Sequence, residues 1–316
     1  MGSGARPRAD LHPAPAPGAP TVHITDPPPP PDDDPGARPA PPRLGGLPPE
    51  LRRLHFASKL VLLHKGTDAE FDAVFADAGS AGAGGDALQM RPIAIGSSHH
   101  RAIARAQQRA LRPALAAHFV PLQYAVCVQS GVEFLVNMQR LHSLARPGDA
   151  FVSLDASNAF NRLDRAVIAR ALRSAPSGRP LYGYFVAGHA AETAPPLYVH
   201  GRHAPVAASV QGSRQGCPLG STYFCFGLQL LLLELRALFP TLRIGACVDD
   251  VGLQGPVPDL ERACAWLREH GPRYGYHLNP AKWLRRRPAR RGAVLRGCRR
   301  RRCCRRCWCC WRSRRR

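Results

Sequence analysis

The sequence has no hydrophobic run long enough to cross a membrane and no sign of a secretory leader. Its longest apolar stretch, TYFCFGLQLLLLEL at 222–235, is interrupted by Gln229 and Glu234 and falls short of the roughly 20 residues that a spanning helix needs. The N-terminus lacks the apolar core of a signal peptide, and no internal repeat indicates a solenoid. We therefore expect no membrane association, and we interpret 222–235 as part of a buried helix.

Acidic residues are scarce, and they are absent from one end of the chain. The sequence contains 22 Asp and Glu against 44 Lys and Arg, which gives a formal net charge of +22. Residues 285–316 hold 16 Arg and no acidic residue, so most of the net charge lies in this tail and the rest of the chain is mildly basic. An excess of arginine favours a nucleic-acid partner.

Proline and cysteine divide the chain into three regions. Residues 1–49 hold 16 of the 32 prolines without helical or strand periodicity, which predicts a disordered leader. The 285–316 tail carries six of the 11 cysteines in one tight cluster, a spacing that disfavours a cross-braced zinc site. Every residue of 297–316 can be encoded by a codon with G in second position, which indicates a frameshifted, disordered tail. The folded domain is therefore expected at 50–284.

Hydrophobic periodicity predicts both helices and strands in the folded region. Apolar residues at helical spacing predict helices at 51–66, 97–115, 161–172, 219–238 and 258–271. Short apolar or alternating runs predict strands at 91–96 and 149–157 and a hairpin at 242–255. The five remaining cysteines stand singly, as is typical of reduced thiols in an intracellular protein.

Three aspartates are predicted at strand ends. Asp155 lies near the end of the 149–157 strand, and Asp249 and Asp250 lie in the turn of the hairpin. Adjacent carboxylates in an apolar setting repel each other unless a cation lies beside them. Because neighbouring strands are only about 5 Å apart, these carboxylates could hold two Mg²⁺ ions for phosphoryl transfer. Asp-Asp is also ordinary turn chemistry, so the spacing alone favours a structural turn.

The order of the surrounding motifs resembles the reverse transcriptase of non-LTR retrotransposons. The resemblance covers about 60–283 and rests on KG…RPIAIG, FVSLDASNAFNRLDR, GSRQGCPLGS, CVDDV and HLNPAKW. It implies an α+β polymerase fold of palm and fingers, with an antiparallel palm sheet packed on helices. The thumb that follows in the family is missing here, because the pattern ends after Trp283.

The resemblance also implies roles for individual residues. The catalytic, Mg²⁺-binding residues would be Asp155, Asp249 and Asp250. Those that meet the nucleotide would be Arg91, Lys65, Phe160, Gln215, Gly216 and Lys282, with Phe160 as a steric gate against a ribose 2′-hydroxyl. Cys247 departs from the family by replacing a usual aromatic residue, and Cys217 replaces an acidic residue or glycine.

The function implied is RNA-templated DNA synthesis from a primer 3′-hydroxyl. The expected partners are an RNA template, a DNA primer and dNTPs, with two Mg²⁺ as cofactors. The arginine clusters favour the nucleus over the cytoplasm. Two alternatives stay open: a non-catalytic retroelement remnant that binds nucleic acid, and a metal-dependent nuclease. The nuclease would not need Phe160, Arg91 or the Gln-Gly segment.

Overall fold

The structure is a computed structural model, and it describes residues 48–64, 90–189, 194–200, 203–279 and 284–286. Lys65, Lys282, the leader up to residue 47 and the tail beyond residue 286 lie outside the described residues.

The described part is mixed α and β. Its helices are α1 (Pro49–Phe56), α2 (Ser98–Ala110), α3 (Arg112–Phe119), α4 (Gly131–Ala145), α5 (Ala159–Arg162), α6 (Arg165–Ser174), α7 (Arg179–His189), α8 (Gly220–Leu238) and α9 (Val257–His270). Its strands are β1 (Ser58–His64), β2 (Met90–Gly96), β3 (Ala150–Leu154), β4 (Pro196–Tyr198), β5 (Ala207–Ala208), β6 (Arg243–Cys247), β7 (Asp250–Gly255) and β8 (Leu284–Arg286).

The first sheet, in the order β2-β1-β4-β5, corrects one sequence prediction. A helix was expected over 51–66, but α1 ends at Phe56 and Ser58–His64 form β1, which pairs antiparallel with β2 along its whole length. The run KLVLLH is short and apolar, and such a run fits a strand as well as a helix. The partner strand β2 therefore decides its conformation.

The second sheet, in the order β6-β7-β3-β8, carries the predicted aspartates. All three of its strand pairs are antiparallel. The predicted hairpin is confirmed, because β6 and β7 close on the pair Cys247↔Asp250. The predicted strand that precedes Asp155 is confirmed as β3, which pairs with β7 up to Leu154↔Val251.

β8 lies at the edge of the second sheet and marks where the described fold ends. It pairs with β3 from Ser153↔Leu284 to Phe151↔Arg286. The sheet therefore extends two residues beyond Leu284, where the sequence places the end of the domain.

Helix α8 fills the centre of the core. Twelve of its 19 residues are buried, as expected for a core helix, and Phe224, Phe226 and Leu231 are fully buried. A Cβ at Gly227 would lie 2.7 Å from a methyl carbon of Leu163 and 3.0 Å from Ile168, so the close packing against α6 and the loop before it depends on this glycine. Among the described residues, α8 alone is long and apolar enough to span a membrane, but 61% of its most apolar window is buried inside the protein.

The helix predicted at 97–115 is divided in two. The Ser97 hydroxyl accepts a hydrogen bond from the backbone N–H of His100 at 3.1 Å and caps α2, as the sequence predicts. α2 ends at Ala110, and α3 begins at Arg112 with Pro113 in its first turn, the position where proline is tolerated.

Replacing a fully buried residue of α8 should destabilise the fold strongly. Phe226 packs against His118 and Phe119, with ring centroids 4.8 and 5.0 Å away. We expect Phe226→Ala to lower the free energy of unfolding by about 3–5 kcal/mol, because it leaves a cavity. Leu238→Ala, on the same helix but 51% exposed, should cost about 0.5 kcal/mol or less. Urea unfolding measures both values, and equal losses would contradict this description of the core.

Candidate active site at the β6–β7 turn

The hairpin turn that carries the aspartates has an unusual backbone. Only Val248 and Asp249 separate the closing pair Cys247↔Asp250. Val248 has a φ of 57°, in the left-handed region that a β-branched residue rarely adopts. Such a conformation costs on the order of 1–3 kcal/mol and clusters at functional sites. A two-residue hairpin turn ordinarily needs a positive φ at its first central residue, where glycine or asparagine is usual. The unusual feature is therefore that a β-branched valine occupies this position.

Asp155 reaches the same turn from the neighbouring strand. It follows the last β3–β7 pair, Leu154↔Val251, by one residue, which places it beside Asp250. Its backbone carbonyl accepts a hydrogen bond from the N–H of Asn279 at 2.9 Å. Sheet register and this contact together fix where Asp155 leaves the strand.

The three aspartates share one electrostatic environment. Burial raises the pKa of Asp249 above its ordinary value; the charge of Asp155 raises it further, whereas Arg91 lowers it. Burial also raises the pKa of Asp250, and the charges of Asp249 and Asp155 add to the effect. The sequence-predicted carboxylates are thus brought together, and the charge of Arg91 on β2 acts on Asp249 from the first sheet.

Tyr276 is a neighbour that the sequence analysis missed. It is 1% exposed, and its hydroxyl has no hydrogen-bond partner among the described residues. Burial raises its pKa above the ordinary value, and the charges of Asp249, Asp155 and Asp250 raise it further. No motif in the sequence distinguishes this tyrosine from an ordinary core residue. Its neutral hydroxyl is available to donate a hydrogen bond towards these three carboxylates.

The side-chain atoms at this site that could ligate a metal ion are oxygens rather than sulfurs. Burial raises the pKa of the Cys247 thiol to about 11, and the charges of Asp250 and Asp249 contribute. This thiol is therefore protonated at neutral pH and does not provide a thiolate ligand. The carboxylates are the ligands that hard cations such as Mg²⁺ prefer.

Electrostatic proximity is not the same as coordination geometry. Across the described ranges, no three His, Cys, Asp or Glu side chains are grouped closely enough to hold one ion. The strand register places the aspartates near one another, and like charges repel when no cation lies between them. Metal coordination by these residues stays a prediction.

Gln215 and Gly216 form a turn that lies against the first sheet. The Gln215 carbonyl accepts a hydrogen bond from the backbone N–H of Ala94 at 2.7 Å. Gly216 has a φ of 99°, and a Cβ there would lie 2.7 Å from the carbonyl oxygen of Ala94. Glycine is thus required both by its conformation and by the close approach of strand β2.

A buried polar network that the sequence did not predict supports this turn. Nδ1 of His100 lies 2.7 Å from the Tyr184 hydroxyl, and Nε2 lies 3.4 Å from Sγ of Cys217. Burial lowers the pKa of His100 to about 3, helped by the nearby charge of Arg214, so the ring is neutral. Arg214 is itself buried and donates to the carbonyl of Phe56. The network joins α2, α7 and the turn before α8.

Phe160 lies between the Asp155 loop and the Gln215 turn. Asn158 adopts the left-handed conformation and precedes the short helix α5, on which Phe160 lies. The half-buried ring of Phe160 stacks on Phe224 with centroids 4.6 Å apart, and its carbonyl accepts a hydrogen bond from the N–H of Ser213 at 2.8 Å. Lys65 and Lys282, also predicted to meet the nucleotide, lie outside the described residues.

Neutralising the site aspartates should stabilise the protein at neutral pH. A raised pKa in the folded state means that stability falls as pH rises from the ordinary value of 3.8 through the folded value. We therefore expect Asp249→Asn, in metal-free buffer at pH 7, to raise the free energy of unfolding by on the order of 1 kcal/mol. Asp250→Asn should raise it by less, because Asp250 is exposed and water screens its charge. The gain should disappear below the ordinary carboxyl pKa.

Asp259→Asn is the control with the opposite sign. A hydrogen bond from Thr241 and a second from Arg262 lower the pKa of Asp259, so its charge stabilises the fold above the ordinary pKa and less as pH falls. This variant should be destabilised at pH 7. Denaturant unfolding across pH 3–7 tests both signs, and destabilisation by all three substitutions would disprove the proposed repulsion.

The chain is similar in sequence to proteins of two mobile elements. It is 28% identical over 148 residues to the retrotransposable element SLACS 132 kDa protein of Trypanosoma brucei gambiense, a match that covers 44% of this chain and 12% of that protein. It is 30% identical over 188 residues to the transposon TX1 uncharacterized 149 kDa protein of Xenopus laevis, which covers 55% of this chain and 14% of that protein. The chain therefore matches only a small part of the length of these relatives. No family model matches it.

Solved structures of telomerase share the fold. Apo telomerase from Candida tropicalis matches with a TM-score of 0.52 at 10% identity, over 74% of this chain and 44% of that one. Telomerase from Candida albicans, solved with a TWJ fragment of telomeric RNA, matches with a TM-score of 0.50 at 12% identity, over 78% of this chain and 44% of that one. At such identity the likeness concerns the fold alone. The two sequence relatives, both proteins of mobile elements, support the relationship to the reverse transcriptase domain of non-LTR retrotransposons that the motifs predict, and the telomerase structures show the same fold.

Proposed function

We propose that this chain is an RNA-directed DNA polymerase domain that extends a primer 3′-hydroxyl with dNTPs. The observation that carries the proposal is the convergence of Asp155, Asp249 and Asp250 at adjoining ends of β3 and the β6–β7 hairpin, with Arg91 of the other sheet acting on Asp249. In this proposal the second sheet and its helices form the palm and the first sheet forms the fingers. The domain would cover 50–284.

The three aspartates would hold two Mg²⁺ ions, since carboxylates that lie close together and repel each other favour a divalent cation between them. When bound, such ions stabilise the attacking and leaving oxygens of phosphoryl transfer. The chain's own residues would hold the reactants: Arg91 would pair with the triphosphate, and Gln215 and Gly216 would support the base pair. Lys65 and Lys282 near the phosphates rest on the sequence resemblance alone.

The proposed partners are an RNA template and a DNA primer. A telomerase with the same fold has been solved with RNA, and the chain carries an excess of positive charge, which supports binding to phosphate backbones.

The proposal also includes a nuclear location and a frameshifted tail from about residue 285. A tagged chain that stays in the cytoplasm would contradict the location.

Primer extension tests the catalytic proposal. With an RNA template, dNTPs and Mg²⁺, the full chain should extend a DNA primer. Asp249→Asn combined with Asp250→Asn should reduce the rate about a thousandfold or more, because the chain would no longer hold the Mg²⁺ ions that offset negative charge at the reacting phosphate. Chelation of Mg²⁺ should do the same. Glu261→Gln, an exposed change on α9, is the matched control and should leave the rate unchanged.

The outcome separates the alternatives that the sequence left open. Absence of extension by the unaltered chain, with primer–template binding intact, would favour the non-catalytic remnant. Mg²⁺-dependent shortening of the primer without dNTP-dependent extension would favour the nuclease.

Phe160 should control the choice of sugar. If its ring closes the space below the ribose, Phe160→Val should raise the ratio of rNTP to dNTP incorporation by about tenfold or more, equivalent to roughly 1.4 kcal/mol of discrimination. Phe134→Val, which alters a phenylalanine that is 48% exposed on α4, is the control. Single-nucleotide incorporation kinetics measure the ratio, and an unchanged ratio would assign Phe160 a packing role against Phe224.

A further inference from the structure

A surface cavity of about 300 Å³ lies beside the loop that follows Asp155. Its walls come from three separate segments, at 162–165, 210–211 and 272–277. A hydrogen bond joins the first segment to the third, because the N–H of Asp164 donates to the Tyr274 carbonyl at 3.0 Å. The third segment is also held by the loop after Asp155, where the N–H of Ser157 donates to the His277 carbonyl at 2.8 Å. The cavity is therefore part of the folded structure rather than a gap between loose loops.

Arg165 places a buried positive charge at the wall of this cavity. It is 8% exposed, and its guanidinium donates to four backbone carbonyls and the Ser209 hydroxyl, but it forms no ion pair within the described residues. Burial lowers its pKa to about 10, so it stays charged at neutral pH. The acidic residue at the wall, Asp164, already accepts a hydrogen bond from the N–H of Ala166 at 2.7 Å. A buried cation without a paired carboxylate favours an anion in the adjoining space.

Two further side chains at the wall have unused hydrogen-bond donors. The guanidinium of Arg162 is exposed and makes no hydrogen bond or ion pair with the residues that the structure describes. The ring of half-buried His277 likewise makes none with those residues. Arg165 therefore supplies charge, whereas Arg162 and His277 can supply contacts. Arginine is the side chain best suited to hold a phosphate by two parallel hydrogen bonds.

We propose that this cavity is a phosphate-binding site, which holds a phosphate group of a nucleotide or of a nucleic-acid backbone. Arg162 and His277 contact the phosphate oxygens, and Arg165 provides a fixed positive field. The site uses none of the residues assigned to catalysis. Its occupancy requires neither Mg²⁺ nor polymerase activity, so the inference stands or falls separately from the proposed function.

The test must resolve individual residues, because a chain with 44 Lys and Arg binds anions at many places. Phenylglyoxal modifies exposed arginines, and mass spectrometry of the full chain measures the rate at each one. In metal-free buffer, saturating inorganic pyrophosphate or a short single-stranded RNA should slow modification of Arg162 by about tenfold, as expected at roughly 90% occupancy. Arg173, which is exposed on α6 but does not line the cavity, should react at an unchanged rate.

The two probes distinguish the source of the phosphate. Protection by pyrophosphate identifies a site for a free phosphate chain, and protection by RNA alone identifies a backbone site; both outcomes support the proposal. His277→Asn should reduce the protection of Arg162, whereas Arg173→Gln should not. Equal protection of Arg162 and Arg173, or no protection of Arg162 by either probe, would overturn the proposal.

Discussion

Repulsion between like charges is the constraint around which this structure is organised. Asp155 and the Asp249–Asp250 pair lie at adjoining strand ends, and burial together with their mutual charge raises the pKa of both hairpin aspartates. A protein selected only for stability would replace such carboxylates with neutral residues. The left-handed Val248 adds a second local cost at the same turn. These two unfavourable features both fall within residues 248–250, and local strain of this kind clusters at functional sites.

The rest of the fold brings a second surface towards these carboxylates. The hydrogen bond from Ala94 to Gln215, and the close approach of Gly216 to the same strand, hold the turn before α8 against the first sheet. The contacts of His100 with Tyr184 and with Cys217 connect that turn to helices α2 and α7. Arg91 on β2 can then act on Asp249 across the gap. Rigid support of this kind is what positions reactants in phosphoryl transfer, where catalysis is mostly orientation and charge stabilisation.

Much of the site could be predicted from the sequence, because its signals are local. The alternating pattern of 242–255 and the Asp-Asp pair within it predict a hairpin turn, and β6 and β7 confirm it. The helix expected at 51–66 was wrong in its second half, because KLVLLH becomes a strand only through its partner β2. Apolar length alone could not separate these two conformations.

Other parts of the site could not be predicted because they depend on contacts between distant residues. Tyr276 reaches the aspartates, and His100 reaches Cys217, only after the chain has folded. Arg165 looks like an ordinary helix residue in the sequence, yet it is buried and binds the loop at 209–212. Such groupings have no periodic pattern and no fixed spacing.

The central claim is that the three aspartates together form a divalent-cation site. Mn²⁺ binding to the full chain, followed by electron paramagnetic resonance, tests this claim directly, because Mn²⁺ prefers the same oxygen ligands as Mg²⁺. We expect tight Mn²⁺ binding that is lost in Asp155→Asn and in Asp250→Asn but retained in Glu261→Gln. Equal Mn²⁺ binding by all four proteins would contradict the account.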